Sequence, residues 1–235
     1  VFRSTASVHD PSIIKTNGRY YVFGSHLASA WSDDLMNWHQ ISTSVNDNPF
    51  FPDYGNTLAE VLAWSSTDTL WAPDVYRLND GRYAFYYCAS QPDAPRGSIG
   101  LAFSNEILGR YEDAGILIQS GMWGQTSPDG TVYDATVHPN AIDPTLFEDP
   151  SGGLWMVYGS SSGGIFVLEM DPGTGKPLEG QGYGVKLMGG NHARIEGAFI
   201  DYNPDTGYFY LFVSYGGLAA DGGYNIRVAR ATDPD

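Results

Sequence analysis

Four stretches of the chain repeat one order of residues: an acid, a short apolar run, a polar turn with glycine, then an aromatic-rich run. The first covers 10–15 and 20–25 around Asn17-Gly18, and the second 74–78 and 83–87 around Asp80-Gly81. The third covers 143–147 and 154–160 around Gly152-Gly153, and the fourth 196–200 and 208–213 around Thr206-Gly207. Short apolar runs bounded by turn residues read as strands, and a glycine turn between two of them reads as a hairpin. A third apolar run follows each hairpin, at 28–32, 99–104, 164–169 and 225–231. In the first three units polar turns at 33–38, 105–109 and 171–175 lead into a fourth element; in the fourth unit the chain stops at that turn. No alanine- or leucine-rich helical periodicity interrupts this, so long helices are not expected.

Four antiparallel strands per repeat predict the blades of a β-propeller. An immunoglobulin-type sandwich would also give many short strands, but it offers no reason for an acid at the head of every first strand. Those acids are Asp10, Asp74, Asp143 and Glu196, spaced 64, 69 and 53 residues apart. The innermost strand of each blade lines the central channel, so the four are expected to gather at one mouth of it. Crowded carboxylates push one another's pKa values apart, which lets one serve as acid while another serves as base. Asp before Pro, as in Asp10-Pro11 and Asp143-Pro144, is also ordinary turn chemistry. Four aligned acids exceed it, because carboxylates packed together without partners are costly. With the fourth unit open, residues 1–235 are expected to form one incomplete propeller, completed by further polypeptide or a second chain.

Composition narrows the function. Among 235 residues, 16 Tyr, 11 Phe, 6 Trp and 29 Gly suit strands and tight turns. A net charge of −15 argues against nucleic acid and anionic membrane surfaces as partners. No apolar run reaches the roughly 18 residues that a membrane span needs. Cys88, alone and within an apolar run, reads as a buried core thiol. The five His lack a His-Glu-x-x-His spacing, so zinc catalysis is not expected and no metal ligand is assigned. The chain starts at Val1 without a signal-like leader, the expectation being a processed or trimmed N-terminus.

The motifs Val8-His9-Asp10-Pro11-Ser12-Ile13, Trp71-Ala72-Pro73-Asp74-Val75, Asn140-Ala141-Ile142-Asp143-Pro144 and His192-Ala193-Arg194-Ile195-Glu196-Gly197 resemble glycoside hydrolase family 43, in particular its endo-α-1,5-L-arabinanases. The resemblance runs over essentially the whole chain. It implies an all-β, five-bladed β-propeller of which this chain supplies about the first four blades, and an inverting enzyme that cleaves internal bonds of arabinan. It casts Asp10 as general base, Glu196 as general acid and Asp143 as the carboxylate that orients the acid and keeps its pKa raised. Asp74 is similar to an accessory position near the pocket. The resemblance also implies a structural calcium in the channel, near a His beyond this chain, no organic cofactor, and secretion toward a plant cell-wall polysaccharide.

Further substrate-binding candidates are His9, Trp71, Asn140, Ile142 and Arg194. His9 could bond sugar or Asp10, or merely satisfy backbone groups. Trp71 could stack on a sugar face or pack in the core. Arg194 could pair with a channel carboxylate, and with His192 hold the loop before Glu196. His138 is expected to serve its own loop. Two insertions without repeat character, 46–69 and 121–140, are expected to shape the substrate groove. Rival readings are an exo-acting β-xylosidase or α-L-arabinofuranosidase, or a fructan-cleaving relative, on the same fold, a non-catalytic carbohydrate-binding propeller, and a protein scaffold; fold alone does not separate them.

Overall fold

The structure is a computed structural model that describes residues 3–92 and 94–235. Among them, four sheets, antiparallel but for one outer pairing, follow one another along the chain. The first comprises β1 (Arg3–Ser4), β2 (Ser12–Thr16), β3 (Arg19–Phe23), β4 (Ser29–Ser32) and β5 (Asn37–Ser42), in the order β1-β5-β4-β3-β2. Its outermost pairing, β1 with β5, is parallel. The second sheet runs β6 (Asp74–Arg77), β7 (Tyr83–Ser90), β8 (Gly97–Ser104), β9 (Glu112–Gln119). The third runs β10 (Thr145–Glu148), β11 (Leu154–Ser160), β12 (Gly164–Met170), β13 (Val185–Met188). The fourth has three strands among the described residues, β14 (Ile195–Asn203), β15 (Tyr208–Tyr215) and β16 (Asn225–Ala231). This is the blade arrangement of a propeller, with β2, β6, β10 and β14 as successive first strands.

The packing explains the aromatic-rich second strands. A blade between two others is buried on both faces, so its strands carry apolar residues at successive positions instead of alternating with polar ones. On β7, Tyr83, Phe85, Tyr87 and Ala89 face the core shared with the first blade. Ala84, Tyr86 and Cys88 face the core shared with the third. On β11 the same period of two sends Met156 and Tyr158 toward the second blade and Val157 toward the fourth. The fourth blade closes the last core with Ile195, Ala198, Ile200, Phe209 and Val213. Its other face leaves Phe199, Phe212, Ile226 and Val228 exposed.

Two departures from the sequence reading concern the insertions. The segment 46–69 contains two short helices, α1 (Tyr54–Thr57) and α2 (Ala59–Ser65). It builds core rather than groove: Phe50, Phe51, Leu58 and Val61 are buried with Phe23, Phe85 and Tyr111. The segment 121–140 is likewise tied inward. Met122 and Tyr133 join the second core, and His138, held between Asp129 and the Asp134 amide, pins the loop upon itself. His138 therefore serves its loop, as its sequence context suggested.

Candidate active site

The first strands converge on a cavity of about 1080 Å³ whose wall takes residues from all four blades. Asp10, Asp74, Asp143 and Glu196 all line it. They do not occupy one equivalent position. Asp10 and Asp143 each sit two residues ahead of a strand, at φ +50° and +56°. Asp74 opens β6, and Glu196 is the second residue of β14.

Positive φ in a non-glycine residue is strained by about 1–3 kcal/mol and persists where surrounding bonds enforce it. Here the residue before each aspartate is tied to the end of the second strand. The Ser25 amide donates to His9 O at 2.9 Å, and the Gly159 amide donates to Ile142 O at 2.9 Å. Gly24 permits the first of these approaches, since a Cβ there would lie 2.1 Å from His9 O. Ser25 then acts again: its hydroxyl donates to Asp10 Oδ2 at 2.6 Å, while His9 Nε2 lies 3.3 Å from Oδ1. Ser25 was not singled out from sequence. Its signal was the Gly-Ser pair shared by the second strands of the first and third units, Gly24-Ser25 and Gly159-Ser160.

Asp143 is partly buried, and its Oδ2 accepts the Gly197 amide at 3.1 Å, a bond from the residue next to Glu196. Burial, then the negative charges of Glu196 and Asp10, push the Asp143 carboxyl up to about 7; the Gly197 bond opposes this. The cluster therefore retains a proton close to neutrality, and between neighbouring carboxyls such a proton belongs to the group rather than to one residue. Glu196 Oε1 accepts the phenol hydroxyl of Tyr224 at 2.8 Å, another contact that the sequence did not announce.

Asp74 is buried and accepts from three donors: the Ser12 hydroxyl, the Val75 amide at 2.9 Å and the Leu146 amide at 2.7 Å. Ser12 belongs to the first blade and Leu146 to the third, so Asp74 bridges three blades at the cavity floor. Burial raises its pKa, and the three donors oppose that rise.

Of the other candidates, His9, Trp71 and Ile142 line the cavity, with His9 exposed and Ile142 buried. Asn140 is buried; its Oδ1 accepts from Ser120 Oγ at 3.1 Å and its Nδ2 reaches Ser90 Oγ at 3.4 Å. Arg194 is exposed, and its backbone carbonyl accepts the Gly216 amide. Among the described residues the cavity wall takes nothing from 46–69 or 121–140. Thr69 touches it indirectly, through its hydroxyl 2.7 Å from His26 Nδ1.

A family model described as Glycosyl hydrolases family 43 matches residues 4–235. The chain is 62% identical over 230 residues to extracellular endo-alpha-(1->5)-L-arabinanase 2 of Bacillus subtilis, covering 97% of this chain and 49% of that protein. It is 54% identical over 235 residues to extracellular endo-alpha-(1->5)-L-arabinanase of Thermotoga petrophila, covering 98% and 50%. A crystal structure of a family 43 glycoside hydrolase from Bacillus licheniformis superposes with a TM-score of 0.96 at 63% identity, over 100% of this chain and 53% of that one. The chain thus spans about half the length of the curated relatives it matches.

Proposed function

The chain belongs to glycosyl hydrolases family 43, and from that premise we propose that it is part of a secreted, inverting endo-α-1,5-L-arabinanase. The observation that carries this reading is the meeting of Asp10, Asp143 and Glu196, from three different blades, in one cavity, where the Asp143 carboxyl is pushed up to about 7. The names of the two relatives at 62% and 54% identity support arabinan as substrate, internal cleavage and an extracellular location. No helix among the described residues is long and apolar enough to cross a membrane.

Inversion needs a base on one side of the sugar and an acid on the other, separated by roughly 6.5–9.5 Å so that water fits between. Asp10, oriented by Ser25 and His9, takes a proton from the attacking water as its oxygen bonds the anomeric carbon. Glu196 gives its proton to the glycosidic oxygen as the bond to that oxygen breaks. Through the Gly197 amide Asp143 fixes the start of β14, next to Glu196. Asp74 holds the blades that carry these groups, while His9, Trp71 and Ile142 offer the wall against which sugar rings rest.

The complete fold is proposed to have five blades. The exposed apolar face of the fourth blade, with Phe199, Phe212 and Val228, supports a further blade packed there, in the same polypeptide or a second one. The calcium implied by the family resemblance would need ligands from elsewhere. Among the described residues no three His, Cys, Asp or Glu side chains are grouped to hold a metal, so no step is routed through one.

Asp10→Ala and Glu196→Ala should each lower kcat on linear arabinan by at least about a thousandfold, roughly 4 kcal/mol of barrier. Loss within about tenfold for either would withdraw its assignment. Short oligosaccharides appearing from the start of digestion would support endo action, whereas release of single sugars alone would favour the exo reading.

A further inference from the structure

The two oxygens of the Glu196 carboxyl have different surroundings, because one of them is already bonded. Tyr224, on the loop between β15 and β16, donates its hydroxyl to Oε1 at 2.8 Å, and its ring lines the same cavity as the carboxylates. Ser214, the cross-strand partner of Glu196, lines the same cavity. The loop carrying the tyrosine is braced: the Gly217 amide donates to Gly222 O at 2.9 Å, and Asn225 Nδ2 donates to Gly223 O at 2.6 Å. Burial, followed by the bond to Glu196 and the charges of Glu196 and Asp143, pushes the phenol up to about 12. It therefore remains protonated, and a donor, throughout the range in which carboxyls titrate.

We propose that Tyr224 is a positioning residue for proton transfer, holding Glu196 by Oε1 so that Oε2 carries the proton to the glycosidic oxygen. This rests on Glu196 being the general acid. In the step, the proton leaves Oε2 as the carbon–oxygen bond breaks, and the electron pair of that bond stays on the departing oxygen. Negative charge accumulates on the glutamate, and Tyr224 keeps its own proton throughout. A hydroxyl bonds a carboxylate more strongly than a neutral carboxyl. The contact thus tightens as the transition state forms, the condition under which an interaction raises kcat instead of merely strengthening binding. A rigid ring with a single donor also selects one orientation of a side chain that is otherwise free to rotate.

The test uses the full-length protein with two substrates, linear arabinan and an arabinosyl dinitrophenyl ether whose leaving group departs without a proton. Tyr224→Phe should lower kcat on arabinan about tenfold with KM within about twofold, and leave turnover of the activated ether within about twofold. The alkaline limb of kcat/KM, which reports loss of the acid's proton, should move upward, because a donor to the carboxylate has been removed. Incorporation of 3-fluorotyrosine at position 224, a stronger donor of nearly the same shape, should move that limb downward. Glu196→Gln separates the two readings: it should abolish arabinan cleavage and spare the activated ether. If it spares arabinan, the general-acid reading fails and the positioning role fails with it. If it behaves as stated while Tyr224→Phe slows both substrates equally, or leaves the limb in place, the positioning role alone is overturned.

Discussion

Replacing Asp143 by Asn should stabilise the protein near neutral pH while removing most of its activity. In the unfolded chain this carboxyl titrates near its ordinary value of 3.8; in the fold, burial and the neighbouring charges hold it up to about 7. The native state therefore binds more protons than the unfolded state between these values, and the stability contributed below about pH 4 is lost as pH rises to 7. A rise of about three pH units at 1.36 kcal/mol each would reach about 4 kcal/mol for a fully shielded group. Solvent reaches this partly exposed carboxyl, so about 2 kcal/mol is the expected size. Asparagine has nearly the same shape, and its Oδ1 can accept the Gly197 amide in the same way, so the substitution removes charge with little change in packing. Urea denaturation at pH 4, 5.5 and 7.5 should show the two proteins equally stable at the lowest pH and the Asp143→Asn variant increasingly favoured above it. A difference that stayed constant with pH, or a less stable variant at pH 7.5, would refute the claim that Asp143 is held under electrostatic stress.

Other expectations follow from single contacts. Asp74→Ala leaves the Val75 and Leu146 amides without their acceptor and should lower unfolding free energy by about 2–5 kcal/mol in a urea titration. Gly24→Ala must displace the His9 carbonyl, and with it Asp10; kcat on arabinan should drop about a hundredfold while far-UV circular dichroism is retained. Cys88 is fully buried, donates to Ala72 O, and has its thiol pKa pushed well above 9.0, first by burial. It should therefore resist a thiol reagent in the native state and react only on unfolding.

Much of this architecture was legible as pattern, because a propeller writes each blade locally. The hairpins at 10–25, 74–87, 143–160 and 196–213 are contiguous in sequence, and their glycine turns fix them. Fourth strands were harder to bound. Asn37–Ser42, Glu112–Gln119 and Val185–Met188 begin at or beyond the polar turns, and the latter two lie at blade edges, where less apolar surface has to be buried. The parallel pairing of β1 with β5 joins segments more than thirty residues apart and has no local signature. The insertion 46–69 looked like a groove loop for want of repeat character. Its Phe50, Phe51, Leu58 and Val61 instead mark it as core, a distinction that composition of the segment carried and periodicity did not. At the site, the acids were visible because they recur, but alignment alone made Asp74 equivalent to Asp10. Only the strand register distinguishes a carboxylate consumed by three protein donors from one standing at positive φ beside open space. Tyr224 lies 28 residues from Glu196 across a hairpin loop, and nothing in the repeat points to it.

The stereochemistry of the first product tests the division of labour between Asp10 and Glu196 most directly. Proton NMR of short linear arabino-oligosaccharides, followed from the first seconds of hydrolysis, distinguishes newly formed reducing ends before they equilibrate. Water delivered by a base on the face opposite the acid gives β-configured ends first, the α form appearing later by mutarotation. Ends that appear first in the α configuration would mean a covalent glycosyl intermediate, and would contradict the assignment of Asp10 as base toward water.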